Sequence, residues 1–259
     1  EEAWKNYSIC EIEDSLSKTP YFDSQTIIEI TIRFALTGTS VTQKIDEHIQ
    51  YLIEKDVPYT WENGNTLNRE EALATILKEG GHEAILVSTT GKISRELYEQ
   101  SDALYGTHEN IFMTVGGMGH ASMIALGIAK KRPKEKIMCI DGDGAALMHM
   151  GALAFISSQS PENFVHIIIN NQSHESVGAM PTGCQKVNFS ELAKNVGYSW
   201  TIRVSTLEEL TKVLHNIDEQ KGPILVEVLV SLDSRADLGR PRESARENKE
   251  AFMEYILKK

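Results

Sequence analysis

The chain has 259 residues, 41% of them hydrophobic and 24% charged, which is the composition of an ordinary globular protein with a sizeable core. A net charge of −11 argues against general nucleic-acid binding. The absence of any run of 18 apolar residues excludes a membrane-spanning helix. The start, EEAWKNYSIC, is acidic and polar and carries no secretory pattern, and it lacks a Met, which points to a trimmed or processed beginning. Cys10, Cys139 and Cys184 show no CxxC spacing, so a disulfide framework or zinc site is not expected and a cytoplasmic location fits.

Residues 1–62 follow no clear rhythm. SQTIIEITIRFALTG (24–38) fits neither a helical nor a strand period, whereas VTQKIDEHIQYLIEKD (41–56) has helical spacing. The polar, Gly-containing stretch around 63–70 marks a boundary, giving a partial or shortened N-terminal region over 1–62 and a domain over 66–259. From there strand and helix patterns alternate. A helix is predicted over 68–80, ended by Gly80 and Gly81, then a strand over 83–89 and a helix over 92–100. A strand over 110–115 leads to a helix over 119–131 stopped by Pro133, then a strand over 136–141 and one helix over 145–159. A continuous apolar strand (163–171), a helix (188–197), a strand (199–204), a helix (206–220) and a strand (223–230) complete the series. The tail 234–259 alternates in charge sign and reads as a solvated, ion-paired helix.

Alternating helices and fully apolar strands predict an α/β fold with a doubly wound, mainly parallel sheet. Ligands of such sheets gather at the carboxyl ends of the strands. Four strand ends run into TTGKIS, GGMGH, GDGAA and NNQSHES. A dinucleotide reading of Gly117-Met-Gly119-His-Ala-Ser122 lacks the third glycine and leaves the Asp143 and Asn170-Asn171 loops without a role. An EF-hand reading from Asp141 fails because position twelve is Ala152. A magnesium–diphosphate site uses what is present. Asp143 offers a carboxylate oxygen, Asn171 an amide oxygen and Ser173 a backbone carbonyl, which suit a hard cation that shares phosphate oxygens. Gly142 and Gly144 allow close backbone approach, the helix opening at Ala145 turns its free N–H groups toward the anion, and Thr90 and Gly91 approach the diphosphate. Lys92, Ser94 and Arg95 would suit an anionic substrate group, set against an exposed helix face.

GDG followed after a helix and a strand by NN resembles the signature of thiamine-diphosphate-dependent enzymes, and VGGMGHASMIALGIA resembles the loop that precedes it. LVSTTGKISRELYE, GDGAALMHMGALAFI, NNQSHESVGAMPT and DLGRPRESARENKEAFMEYI resemble the C-terminal half of phosphonopyruvate and sulfopyruvate decarboxylases over residues 66–259. The resemblance implies a thiamine-diphosphate-binding fold of the diphosphate type, with thiamine diphosphate and Mg²⁺ as cofactors. It also implies non-oxidative decarboxylation of a small anionic 2-oxo acid, with carboligation as the alternative. By the same resemblance the Gly116 carbonyl accepts from the aminopyrimidine and Met118 holds the cofactor bent. His120, His174 and Glu175 are candidate catalytic groups, the last two as proton shuttles, while His149 reads as a packing or hydrogen-bonding residue and Cys184 as inert.

Family members draw a cofactor-activating glutamate from a separate pyrimidine-binding domain. Glu11, Glu13, Glu29, Glu47, Glu54 and Glu62 stand in no matching context. The expectation is therefore an active site shared between chains, in a homo-oligomer or with a companion pyrimidine-domain subunit. A cofactor-binding subunit inactive by itself is the other form of that reading. No nucleic-acid or membrane partner is expected.

Overall fold

A computed structural model of the chain describes residues 63–232 and 234–259. The N-terminal region 1–62, its candidate helix and the six glutamates named above lie outside the described residues.

Six strands form one parallel sheet: β1 (Ile85–Ser88), β2 (Ile111–Met113), β3 (Ile137–Gly142), β4 (Phe164–Asn170), β7 (Trp200–Val204) and β8 (Ile224–Leu229), in the order β2-β1-β3-β4-β8-β7. Two short strands, β5 (Ser173–His174) and β6 (Met180–Pro181), make a separate antiparallel hairpin. The helices are α1 (Arg69–Ile76), α2 (Lys92–Tyr105), α3 (Ala121–Lys131), α4 (Asp143–Met148), α5 (Gly151–Gln159), α6 (Phe189–Val196), α7 (Leu207–Asn216) and α8 (Ala245–Lys258).

The central strands are buried along their length, as their unbroken apolar runs require. One face carries Leu86, Ile140, Ile167 and Val226 beneath Leu73, Leu97 and Leu214 of α1, α2 and α7. The other carries Val87, Cys139, Ile168 and Leu225 beneath Ala125, Ile156, Phe189 and Phe252 of α3, α5, α6 and α8. The sheet is thus doubly wound. The chain leaves β1 outward through α2 to β2 and returns through α3 to β3 on the other side of β1, so the strand order reverses between β1 and β3. Such a reversal opens a crevice beyond the strand ends.

Two elements differ from the sequence reading. The helix expected over 145–159 is two helices, because His149 (φ −128°, ψ 42°) leaves the helical region between them. The first begins at Asp143 rather than Ala145. The break falls where the loop after β2 crosses, since a Cβ on Gly119 would lie 2.8 Å from His149 Cδ2 and 3.0 Å from the Ala145 carbonyl. The tail is also not merely solvated. Ser244 and Glu247 form a capping box at the start of α8, which buries Asn248, Phe252 and Ile256 against the sheet. Asn248 extends the edge of the sheet, accepting from Met113 N at 3.0 Å and donating to the Ile111 carbonyl at 3.0 Å.

No helix among the described residues is long and apolar enough to cross a membrane.

Candidate active-site cleft

The crevice is lined by the ends of β1, β3 and β4 together with β5 and the turn after it. Thr90, Gly91, Met118, Gly142, Asp143, Gly144, Ala145, Asn171, Ser173, His174 and Glu175, all singled out in the sequence, face it with Arg69, Thr89 and Lys92. Gly116 and His120 are not among its lining residues. Both are exposed in the loop after β2, where Gly116 takes φ +71° and His120 turns its ring against His149, centroids 4.4 Å apart. His149 is itself exposed.

Asp143 stands at the end of β3, 2% exposed. Burial pushes its carboxyl up to about 6, against the opposing pull of hydrogen bonds from Thr182, Cys184 and the Gly144 N–H. Thr182 donates its hydroxyl to Oδ2. Burial likewise pushes the Cys184 thiol up to about 12, so Cys184 faces Asp143 as a neutral donor. Asn171, at the end of β4, accepts the Ser173 N–H on Oδ1 at 3.0 Å, and its backbone carbonyl accepts from Asn63 at 2.8 Å. Ser173 lies opposite Pro181, which has no N–H to offer its carbonyl.

The neighbours Asp141 and Asn170 serve the scaffold. Asp141 accepts the Gly142 N–H at 3.0 Å and lies 3.4 Å from His166 Nε2, with Cys139 completing a cluster within 4.8 Å in the buried core. Asn170 donates to the fully buried Glu227 at 2.8 Å, and Glu227 also takes Ser190 N and Arg203.

These residues fit a metal–diphosphate group. The hydroxyls of Ser173 and Thr89 are buried with no protein partner, which leaves two polar groups at the cleft to meet a ligand's oxygens. Gly144 is required sterically, since a Cβ there would lie 2.6 Å from His174 Cε1 and 3.0 Å from Thr182 Cγ2. Gly142 is not demanded by the protein: its φ is −105° and a Cβ would meet Ile93 at an ordinary 3.5 Å. Burial holds the imidazole of His174 below the usual histidine range, so it is neutral near pH 7. Of the three candidates for an anionic substrate group, Lys92 lines the cleft. Ser94 is buried and spent on the Thr89 carbonyl and Ser88 Oγ.

Arg69 and Thr182 escaped the sequence reading. Thr182 is one hydroxyl in a polar loop and carries no signal. Arg69 does carry one, because a cation in the first turn of a helix opposes the helix dipole and asks for a local reason.

The sequence model of the thiamine pyrophosphate enzyme C-terminal TPP-binding domain matches residues 95–228, spanning α2 to β8 and every strand end of the cleft except that of β1. The chain belongs to the thiamine pyrophosphate enzyme family. Among curated relatives of this TPP-binding domain, a phosphonopyruvate decarboxylase of Streptomyces hygroscopicus is 36% identical over 72% of this chain and 45% of its own. The sulfopyruvate decarboxylase subunit beta of Methanocaldococcus jannaschii is 36% identical over 61% of this chain and 81% of its own. The chain spans about half the length of the phosphonopyruvate decarboxylases it matches. Benzoylformate decarboxylase from Polynucleobacter necessarius shares the fold, with a TM-score of 0.54, 16% identity, and 63% of this chain and 33% of its own covered. The resemblance read from the GDG and NN loops and the doubly wound TPP-binding fold are both borne out.

Proposed function

We propose that the chain is the diphosphate-binding part of a thiamine-diphosphate- and Mg²⁺-dependent decarboxylase acting on a small anionic 2-oxo acid of the phosphonopyruvate or sulfopyruvate kind. In this reading residues 66–259 are the cofactor domain and 1–62 a partial domain. The observation that carries it is the convergence of Asp143 and Asn171, 28 positions apart by their numbers, on one cleft at the strand-order reversal. Asp143, Asn171 and the Ser173 carbonyl would hold Mg²⁺, with Thr89, Thr90 and Ser173 hydroxyls and the N–H groups at the start of α4 on the diphosphate. When bound, thiamine diphosphate supplies an electron sink for the carboxylate bond that breaks. The chain's own part is to exclude water from a buried ligand set, to present the neutral His174 ring for proton movement, and to place Lys92 where an anionic substrate tail can be met.

A site shared with another chain is supported by two observations. The relative this chain covers most fully of the two described is named a beta subunit. An apolar rim also stands exposed around the α4–α5 break and the start of α3: Met148, Met150, Phe155, Met123 and Ile124. The companion would bring the pyrimidine-domain carboxylate, whether from a second copy or a separate subunit.

The test is CO₂ release from 3-phosphonopyruvate and 3-sulfopyruvate with Mg²⁺ and thiamine diphosphate, by the purified chain alone and with a pyrimidine-domain subunit added. Release only with the added subunit makes this chain the cofactor-binding half. No release from either acid in either arm overturns the decarboxylase reading. A longer hydroxyketone product on adding an aldehyde would move it to carboligation.

A further inference from the structure

Arg69 is a buried cation on the wall of the cleft. Its Nε and Nη2 donate to the two oxygens of Glu96, both at 2.6 Å, and Nη1 donates to Glu175 Oε2. The side chains are 3%, 0% and 9% exposed. The three residues come from different elements: the start of α1, the second turn of α2, and the turn after β5. The last lies 106 positions from Arg69 in sequence.

Stability is a weak reason for this arrangement. α1 and α2 already meet through Leu73, Ile76, Ile93 and Leu97, and a buried ion pair seldom adds more than apolar side chains of the same size would. What a two-pronged guanidinium–carboxylate contact does supply is direction, because the planar fork admits one orientation. Glu96 takes both prongs on one edge and so aims the remaining nitrogen at Glu175. Glu175 follows His174 directly, and the His174 ring in turn closes over Gly144.

We propose that Arg69 is a positioning residue of the cleft: Glu96 aims its guanidinium, and the guanidinium holds Glu175, so that the His174–Glu175 corner keeps one orientation toward the Asp143–Asn171 site. This deepens the functional reading above and rests on it for the meaning of the corner, though not for the contact itself.

The experiment uses the full chain with Arg69→Lys and, separately, Glu96→Gln and Glu175→Gln, followed by hydrogen–deuterium exchange of peptides over 172–178 without cofactor. Exchange there rises on the order of 10-fold while β3 and β4 keep their protection, since only the local opening is affected. The affinity for Mg²⁺ with thiamine diphosphate stays within about 2-fold. In the active assembly kcat falls about 10–100-fold at little-changed KM, the loss expected from a misplaced group rather than a missing contact. Unchanged exchange over 172–178, or an equal rise across α1 and all strands, overturns the proposal. Should Arg69→Lys fail to fold, Glu175→Gln still decides the matter, because it leaves the Arg69–Glu96 pair whole and must alone loosen 172–178. The exchange measurement needs no turnover, so an inactive enzyme would count against the decarboxylase reading and leave this proposal standing.

Discussion

Thr182 donates its hydroxyl to the Asp143 carboxylate, joining the end of the β5–β6 hairpin to the junction of β3 and α4 across 39 residues. The contact brings into one place the end of a strand, whose position the sheet fixes, and a hairpin that has only two residues in each strand. The metal-binding reading therefore depends on loop order as much as on the carboxylate.

On the proposed reading, replacing Asp143 by Ala removes one of the two side chains that would hold Mg²⁺. Affinity for thiamine diphosphate with Mg²⁺ is expected to fall on the order of 100-fold or more, with the circular dichroism spectrum unchanged. A fluorescence titration that finds native affinity would sink the assignment of Asp143.

The same residue predicts a pH dependence. Burial raises its carboxyl to about 6 in the folded chain, above an unfolded value near 4. The folded state then holds the proton more tightly, so the linked stability is fully present at low pH and is lost as pH rises through 6. Between pH 5 and 7 the cofactor-free chain should lose on the order of 1 kcal/mol relative to an Asp143→Asn variant, which cannot ionise. On the proposed reading Mg²⁺ would take the carboxylate form, and its affinity should weaken below pH 6. Chemical denaturation of both proteins at the two pH values checks this, and equal differences at both would refute it.

Gly144→Ala places a methyl 2.6 Å from His174 Cε1 and 3.0 Å from Thr182 Cγ2. The hairpin must shift to admit it, at about 1–3 kcal/mol for an overpacked site. Because both displaced residues border Asp143, cofactor binding should fall with stability. A thermal shift equal to native, with and without cofactor, would mean that the hairpin yields freely.

The His174 ring should titrate below the unperturbed histidine value of about 6.5, because burial penalises its charged form. Proton NMR of the Cε1–H across pH 4–8, assigned with His174→Gln, reads the midpoint directly. A midpoint at or above the ordinary value would contradict the buried setting.

Phe252 anchors α8, its ring 5.4 Å from that of Phe112. Phe252→Ala should cost about 3–5 kcal/mol on unfolding. A loss below 1 kcal/mol would show the tail helix to be as solvated as its charge pattern suggests.

The inner strands of the sheet were legible because they are short apolar runs between polar breaks, as burial on both faces requires, whereas the edge strand β7 is only half-buried and carries the exposed Arg203. The cleft was legible in large part for a related reason: in a parallel sheet the loops after successive strands share one edge, so TTG, GDG and NNQSHE had to converge wherever the strand order put them. The break at His149 was not legible. An apolar helix pattern runs through it, and the close approach of Gly119 to His149 and the Ala145 carbonyl exists only in the folded chain. The burial of α8 was hidden by the charges that flank Phe252 and Ile256.

By itself the sequence determined the α/β class and the family, since each rests on residue types at fixed spacings along the chain. The tertiary structure decided which residues share the cleft. It left Gly116 and His120 on an exposed loop, brought in Thr182 and Thr89, and joined Arg69, Glu96 and Glu175. Spacing along one strand or helix is local and readable, whereas a contact across 106 residues exists only once the elements have packed.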